Sequence, residues 1–292
     1  MRKGLFYGLT AYLLWGILPI YWKLLRHVYP LEILFHRMLW SFIFVAIILT
    51  IRNRWHWFAL LKRKPRYAAI FLVTATLISF NWLTYIWAVN NGFIVEASLG
   101  YFINPLINVL LGVLFLKERL RLGQTLAIIL AAIGVLYLTF NYGTFPWIAL
   151  ILAFSFGFYG LLRKTAYLGS LEGLSVETGF LFIPALAAII YYAKSGQAAF
   201  GQGDLTSFLL VFSGAITAIP LALFSAAARR VTLVALGLLQ YIAPTLQFLI
   251  GVFLYGEPFN RSRFWGFCII WAALCIYTTE GIVRAHRLSR TL

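Results

Sequence analysis

The chain has 292 residues, of which 62% are hydrophobic and only 11% charged, and its mean hydropathy is +0.89. Soluble domains carry about 25% charged residues, so this composition excludes a soluble core and points to one integral membrane unit. The net charge of +16 lies in short segments between apolar runs; there it serves topology and anionic lipid headgroups, not nucleic acid.

The first predicted span, near 4–24, places Tyr12, Gly16, Pro19 and Lys23 on one face, with Trp15 beside Gly16. Pro19 has no N–H, so the Trp15 carbonyl loses its helical partner. No small-residue cleavage site follows, and the span reads as a retained helix. The second span, near 32–51, opens on Glu32, His36 and Arg37, the first two being i, i+4 neighbours. A buried arginine faces the bundle interior or water. Two roles stay open for it: pairing with Glu32 or a helix C-terminus, or acting with Lys23 to attract an anionic group. The third span, near 67–89, leads into NWLTYIWAVNN, which holds Asn81, Trp82 and Tyr85.

The fourth span, near 95–116, begins the segment VEASLGYFINPLINVLLGVLFLKER. Pro105 sits at its middle, and Tyr101, Asn104 and Asn108 follow the i, i+3, i+7 spacing of one helix face. Spans five to eight fall near 122–140, 146–163, 177–193 and 206–227. The ninth, near 233–255, repeats the fourth as VALGLLQYIAPTLQFLIGVFLYGEP. Pro244, Gly251 and Glu257 each stand 139 residues after Pro105, Gly112 and Glu118, with no gap. Gln240 and Gln247 occupy the matching face, with Tyr241 adjacent. The tenth span, near 264–283, holds both cysteines, Cys268 and Cys275. Seven helical residues separate them by about 10.5 Å along the axis, too far for a disulfide.

Placing the N-terminus in the cytoplasm puts eighteen Lys and Arg residues inside and four outside, a strong positive-inside bias. Both termini are then cytoplasmic. Five spans per half is an odd number, so the second half enters the membrane from the opposite side. The predicted fold is all-α and integral to the membrane: ten helices in two inverted five-helix repeats. The repeats cover residues 1–141 and 142–292, the second with a short cytoplasmic tail. Paired halves with interrupted helices at matching positions are the pattern of a transporter.

The polar stripes predict a central cavity bordered by Tyr101, Asn104, Asn108, Gln240, Tyr241, Asn81 and Tyr85, with Trp15, Trp82, Lys23 and Arg37 as further lining. Polar glue between packed helices is the plainer alternative. Pro105 and Pro244 are candidate gating positions, and Glu32 with His36 the candidate coupling pair. The eight acidic residues are Glu32, Glu96, Glu118, Glu172, Glu177, Asp204, Glu257 and Glu280; on these span boundaries none falls at a span centre. Weak or absent proton coupling follows. There is no Walker motif, no HExxH motif and no clustered His and Asp. The expectation is a non-enzyme with no cofactor and no metal.

The segments EILFHRMLWSF, NWLTYIWAVNN, EASLGYFINPLINVLLGV, FSFGFYGLLRK and LGLLQYIAPTLQFL resemble the RarD-type members of the drug/metabolite transporter superfamily. The resemblance covers nearly the whole chain. It implies the EamA fold, a central substrate cavity and a multi-pass permease of the bacterial inner membrane, usually described as an exporter of drugs or metabolites. The leading expectation is transport of small amphipathic organic solutes by alternating access. The alternative is an anion-selective importer or exchanger. A distant alternative is an intramembrane lipid-modifying enzyme, for which only Glu32 and His36 offer acid–base groups. The partners are a small-molecule substrate and the bilayer; oligomeric state is left open.

Overall fold

The computed structural model describes residues 2–55, 57, 61, 65–117, 120, 122–142, 145–165, 168–228, 230 and 239–289. Among them the chain is helical, with no strand. The helices are α1 (Arg2–Leu24), α2 (Pro30–Ile51), α3 (Pro65–Asn90), α4 (Ile94–Leu116), α5 (Leu122–Tyr142), α6 (Trp147–Thr165), α7 (Ser170–Lys194), α8 (Asp204–Ala228), α9 (Ile242–Leu249) and α10 (Arg261–Ser289). Eight of these are long and apolar enough to cross a membrane; α6 and α9 are shorter apolar helices.

Local chemistry sets the boundaries. Pro30 opens α2 at the position where a missing N–H costs nothing. Lys117 closes α4 in the left-handed conformation, φ 55°. In α9 the helix starts only at Ile242, after turns at Gln240 and Tyr241, so Pro244 falls in its first turn. The predicted earlier part of that span, 231–238, lies outside the described residues, as does Glu118. α9 ends in a π-helical stretch, Ile250–Leu254.

One boundary corrects the sequence reading. The seventh helix begins at Ser170, not near 177, because the polar run SLEGLSVET is helical and mostly buried. Glu172 and Glu177 are therefore helical residues, 8% and 0% exposed.

The main pairings are α1 with α8 and α9, α2 with α7 and α8, α3 with α6 and α7, α4 with α6 and α9, and α5 with α10. Small residues permit close approach, as expected where lipid supplies no hydrophobic drive between helices. A Cβ on Gly214 of α8 would overlap the Trp40 carbonyl of α2, and one on Gly16 of α1 would come within 2.6 Å of Leu246 of α9. The opposite surface is apolar: Leu122, Leu126, Ile129, Ile133, Leu136 and Phe140 form an exposed stripe along α5, suited to acyl chains.

Contacts gather at two ends of the bundle. End I joins residues 21–32, 94–96, 148, 199–209 and 255–257. End II joins Arg54 to Glu172, Arg163 to Gly169 and Arg230 to Tyr7.

Candidate functional site

Arg37 stands seven residues into α2, about 10 Å from the helix start at a 1.5 Å rise. It is 5% exposed. Its Nε donates to Thr217 Oγ1 of α8 at 2.9 Å, and the Thr217 hydroxyl donates on to the Ser213 carbonyl at 2.9 Å. The guanidinium carbon lies 3.9 Å from the Trp82 ring centroid and 5.1 Å from that of Trp22. Tyr85 follows Trp82 by one turn on α3 and, like it, is buried. Arg37 Nη1 is buried without a hydrogen-bond partner, and so are Tyr85 Oη and Trp22 Nε1. Tyr85 and Tyr101 meet edge to face at 5.6 Å. Asn104, one turn beyond Tyr101, is buried with Oδ1 unpartnered.

No carboxylate reaches Arg37 among the described residues, so its pairing with Glu32, one of the two sequence alternatives, is not made. Glu32 Oε1 instead accepts the Ala199 and Phe200 N–H groups at 2.8 and 3.1 Å. It anchors the α7–α8 connection at end I. A buried unpaired charge costs several kcal/mol, and contact with aromatic faces returns about 2 kcal/mol when desolvated. The site is therefore polarised and under-satisfied on its donor side.

The other predicted residues divide. Asn81 is committed to helix packing: Nδ2 donates to the Leu152 carbonyl and to Ser155 Oγ of α6, at 3.0 and 2.9 Å. Gln247 Nε2 donates at 3.1 Å to the Trp15 carbonyl, the acceptor that Pro19 leaves free. Trp15 packs on Tyr12 and Phe224 at 5.3 and 5.8 Å. Asn108 is exposed, in space left by Gly157 and Gly160. Gln240 and Tyr241 are half-buried at the turn before α9, and Pro105 is buried within α4. Lys23 does not join Arg37 as a second cation; its Nζ lies 5.3 Å above the Tyr255 ring at end I.

His36 is buried, accepts the Trp40 indole N–H on Nδ1 at 3.2 Å and stacks on Phe200 at 4.8 Å. A second ring proton would set two donors against each other. Its stacking on Phe200 and the Glu32 bonds to the Ala199 and Phe200 amides tie both side chains to the α7–α8 connection, with His36 Nε2 and Glu32 Oε2 buried and unpartnered.

Two carboxylates act as latches; for Glu257, which ends its span as Glu118 ends the fourth, the sequence suggests structural capping or gate closure, while Glu177 carries no such signal. At end I, Glu257 accepts the Ile94 and Val95 N–H groups at 2.7 and 2.8 Å, capping α4 across the bundle. At end II, Glu177 takes the Tyr159 hydroxyl at 3.2 Å and the Arg163 Nε at 3.7 Å. Glu177 lies inside a candidate span, Leu171–Lys194, in its first third and not at its centre. A numerical signal was available: Glu32 and Glu172, and Arg37 and Glu177, are both 140 residues apart. α2 and α7 carry charge at the same distances from their starts, opposite in sign for the inner pair.

The profile of the EamA-like transporter family matches residues 2–140. The chain is 47% identical to Protein RarD of Streptomyces exfoliatus over 287 residues, 98% of this chain and 91% of that one. It is also 47% identical to the uncharacterized transporter YojE of Bacillus subtilis (strain 168) over 285 residues, 96% of this chain and 95% of the relative. A solved structure superposes over 99% of both chains with a TM-score of 0.59 at 19% identity, a likeness of fold alone.

Proposed function

Because the chain belongs to the EamA-like transporter family, with RarD-type relatives along nearly its whole length, we propose that it is a carrier working by alternating access. It moves small amphipathic organic metabolites or drugs across the bacterial inner membrane, in the export direction, without ATP hydrolysis. The observation that carries this reading is the buried, under-satisfied polar group around Arg37, set between two separately latched ends.

In this reading α1–α5 and α6–α10 are inverted repeats of five spans each, 1–141 and 142–292. The pairing pattern supports it. Exchanging the halves carries α1–α8 onto α6–α3, α1–α9 onto α6–α4 and α2–α8 onto α7–α3, while α2–α7, α4–α9 and α5–α10 map onto themselves. The positive-inside bias then places end II and both termini in the cytoplasm. The unpaired Arg37 favours a second reading of the same site, as an anion-selective importer or exchanger.

The test is purified protein in liposomes, offered a panel of labelled amino acids, organic acids and antibiotics. The expected result is saturable uptake and counterflow of one chemical group above protein-free liposomes. Movement of none, with chemically altered lipid recovered, would favour the enzyme reading instead.

A further inference from the structure

Three buried donors on side chains of this aromatic cluster lack acceptors: Arg37 Nη1, Tyr85 Oη and Trp22 Nε1. Buried donors are normally satisfied. The chain has a carboxylate five residues before Arg37 on the same helix, yet Glu32 turns to the Ala199 and Phe200 amides. What the place lacks is an acceptor-rich anion, and what surrounds it is ring surface.

We infer that the cluster of Arg37, Trp82, Trp22, Tyr85 and Tyr101 forms a subsite for a single carboxylate carried on a flat apolar body. This deepens the carrier reading and rests on it. A monoanion fits because the charge available is single. Nε is spent on Thr217, which leaves the Nη edge, and Lys23 is turned to Tyr255. A phosphate dianion would need the second cation that is missing. A flat body fits because Trp82 already holds the guanidinium face at 3.9 Å, and Tyr85 and Tyr101 meet in an edge contact with 69° between their planes. The unpartnered Asn104 Oδ1, one turn further along α4, is an acceptor for a hydroxyl or amino group on the distal part of the ligand.

The experiment compares three probes with one body and three charges: phenylacetate, phenylacetamide and phenethylamine. Binding to the full-length protein in detergent is read by calorimetry and by the shift in Tm. Phenylacetate is expected to bind at least tenfold more tightly than the other two. Arg37→Gln is expected to remove that preference while leaving the unliganded Tm no lower, since it deletes an unpaired charge. Tyr85→Phe keeps the volume and is expected to weaken phenylacetate alone, about three- to tenfold, which serves if Arg37→Gln fails to fold. Equal binding of the three probes, no saturable phenylacetate binding, or an anion preference that survives Arg37→Gln would overturn the inference. Because binding is read without transport, the two claims separate: transport of panel solutes with no anion preference sinks the subsite alone, and anion binding without transport of any solute sinks the carrier alone.

Discussion

Glu257→Gln is expected to speed hydrogen exchange in the first turn of α4 about 30- to 150-fold. Ile94 and Val95 are 0% and 1% exposed, and their N–H groups have the two Glu257 oxygens as acceptors. A helix N-terminus presents unbonded N–H groups and a partial positive charge, and a carboxylate answers both. The amide of glutamine keeps one acceptor and turns a donor toward the other N–H. Leaving a buried donor unsatisfied costs about 1–3 kcal/mol, more when the lost acceptor was charged. A loss of about 2–3 kcal/mol corresponds to the quoted factor at 1.4 kcal/mol per decade. Exchange mass spectrometry of the peptide covering 93–99 reads it directly. Unchanged exchange there, with the protein intact, would mean that end I is held by other contacts.

Glu177→Ala should produce the largest loss of stability, about 3–5 kcal/mol, because it strands a largely buried guanidinium. The Arg163 side chain is 14% exposed and that of Glu177 1%. Arg163 Nη2 donates to the Gly169 carbonyl at 3.0 Å, and its guanidinium carbon lies 5.3 Å from the Phe71 ring centroid. The side chain fits only because Gly173 has no Cβ, which would collide with Nη1. Replacing both partners, Arg163→Met with Glu177→Leu, is expected to recover most of the loss, since two apolar groups leave no charge behind. Thermal unfolding in detergent measures both. A double variant no more stable than Glu177→Ala would show that the loss comes from packing.

Most helix positions were legible from hydropathy because a bilayer demands long apolar runs. The start of α7 was not. SLEGLSVET reads as a loop until Arg54 and Arg163, 118 and 14 residues away in sequence from Glu172 and Glu177, supply the charges that let those carboxylates be buried. Arg37 was legible as a buried cation, and the Trp15 carbonyl as a freed acceptor. Their surroundings were not, because periodicity places a residue on a face without naming what meets it. Asn81 and Gln247 look alike in sequence to Asn104, yet the first is fully committed to α6 and the second donates to α1. The destination of Glu257, the amides of α4 more than 160 residues away, has no local signature.

The most direct test of the carrier account is two-sided labelling of a cysteine placed at Asn104, after replacement of Cys268 and Cys275. A membrane-impermeant maleimide is applied from either face in intact cells and in inverted vesicles. The account predicts opposite shifts: Glu257→Gln raises the rate from the end I face and lowers it from end II, and Glu177→Ala does the reverse. If both substitutions change access from both faces alike, or leave the position closed to each, the two latches do not govern alternating access to a common site.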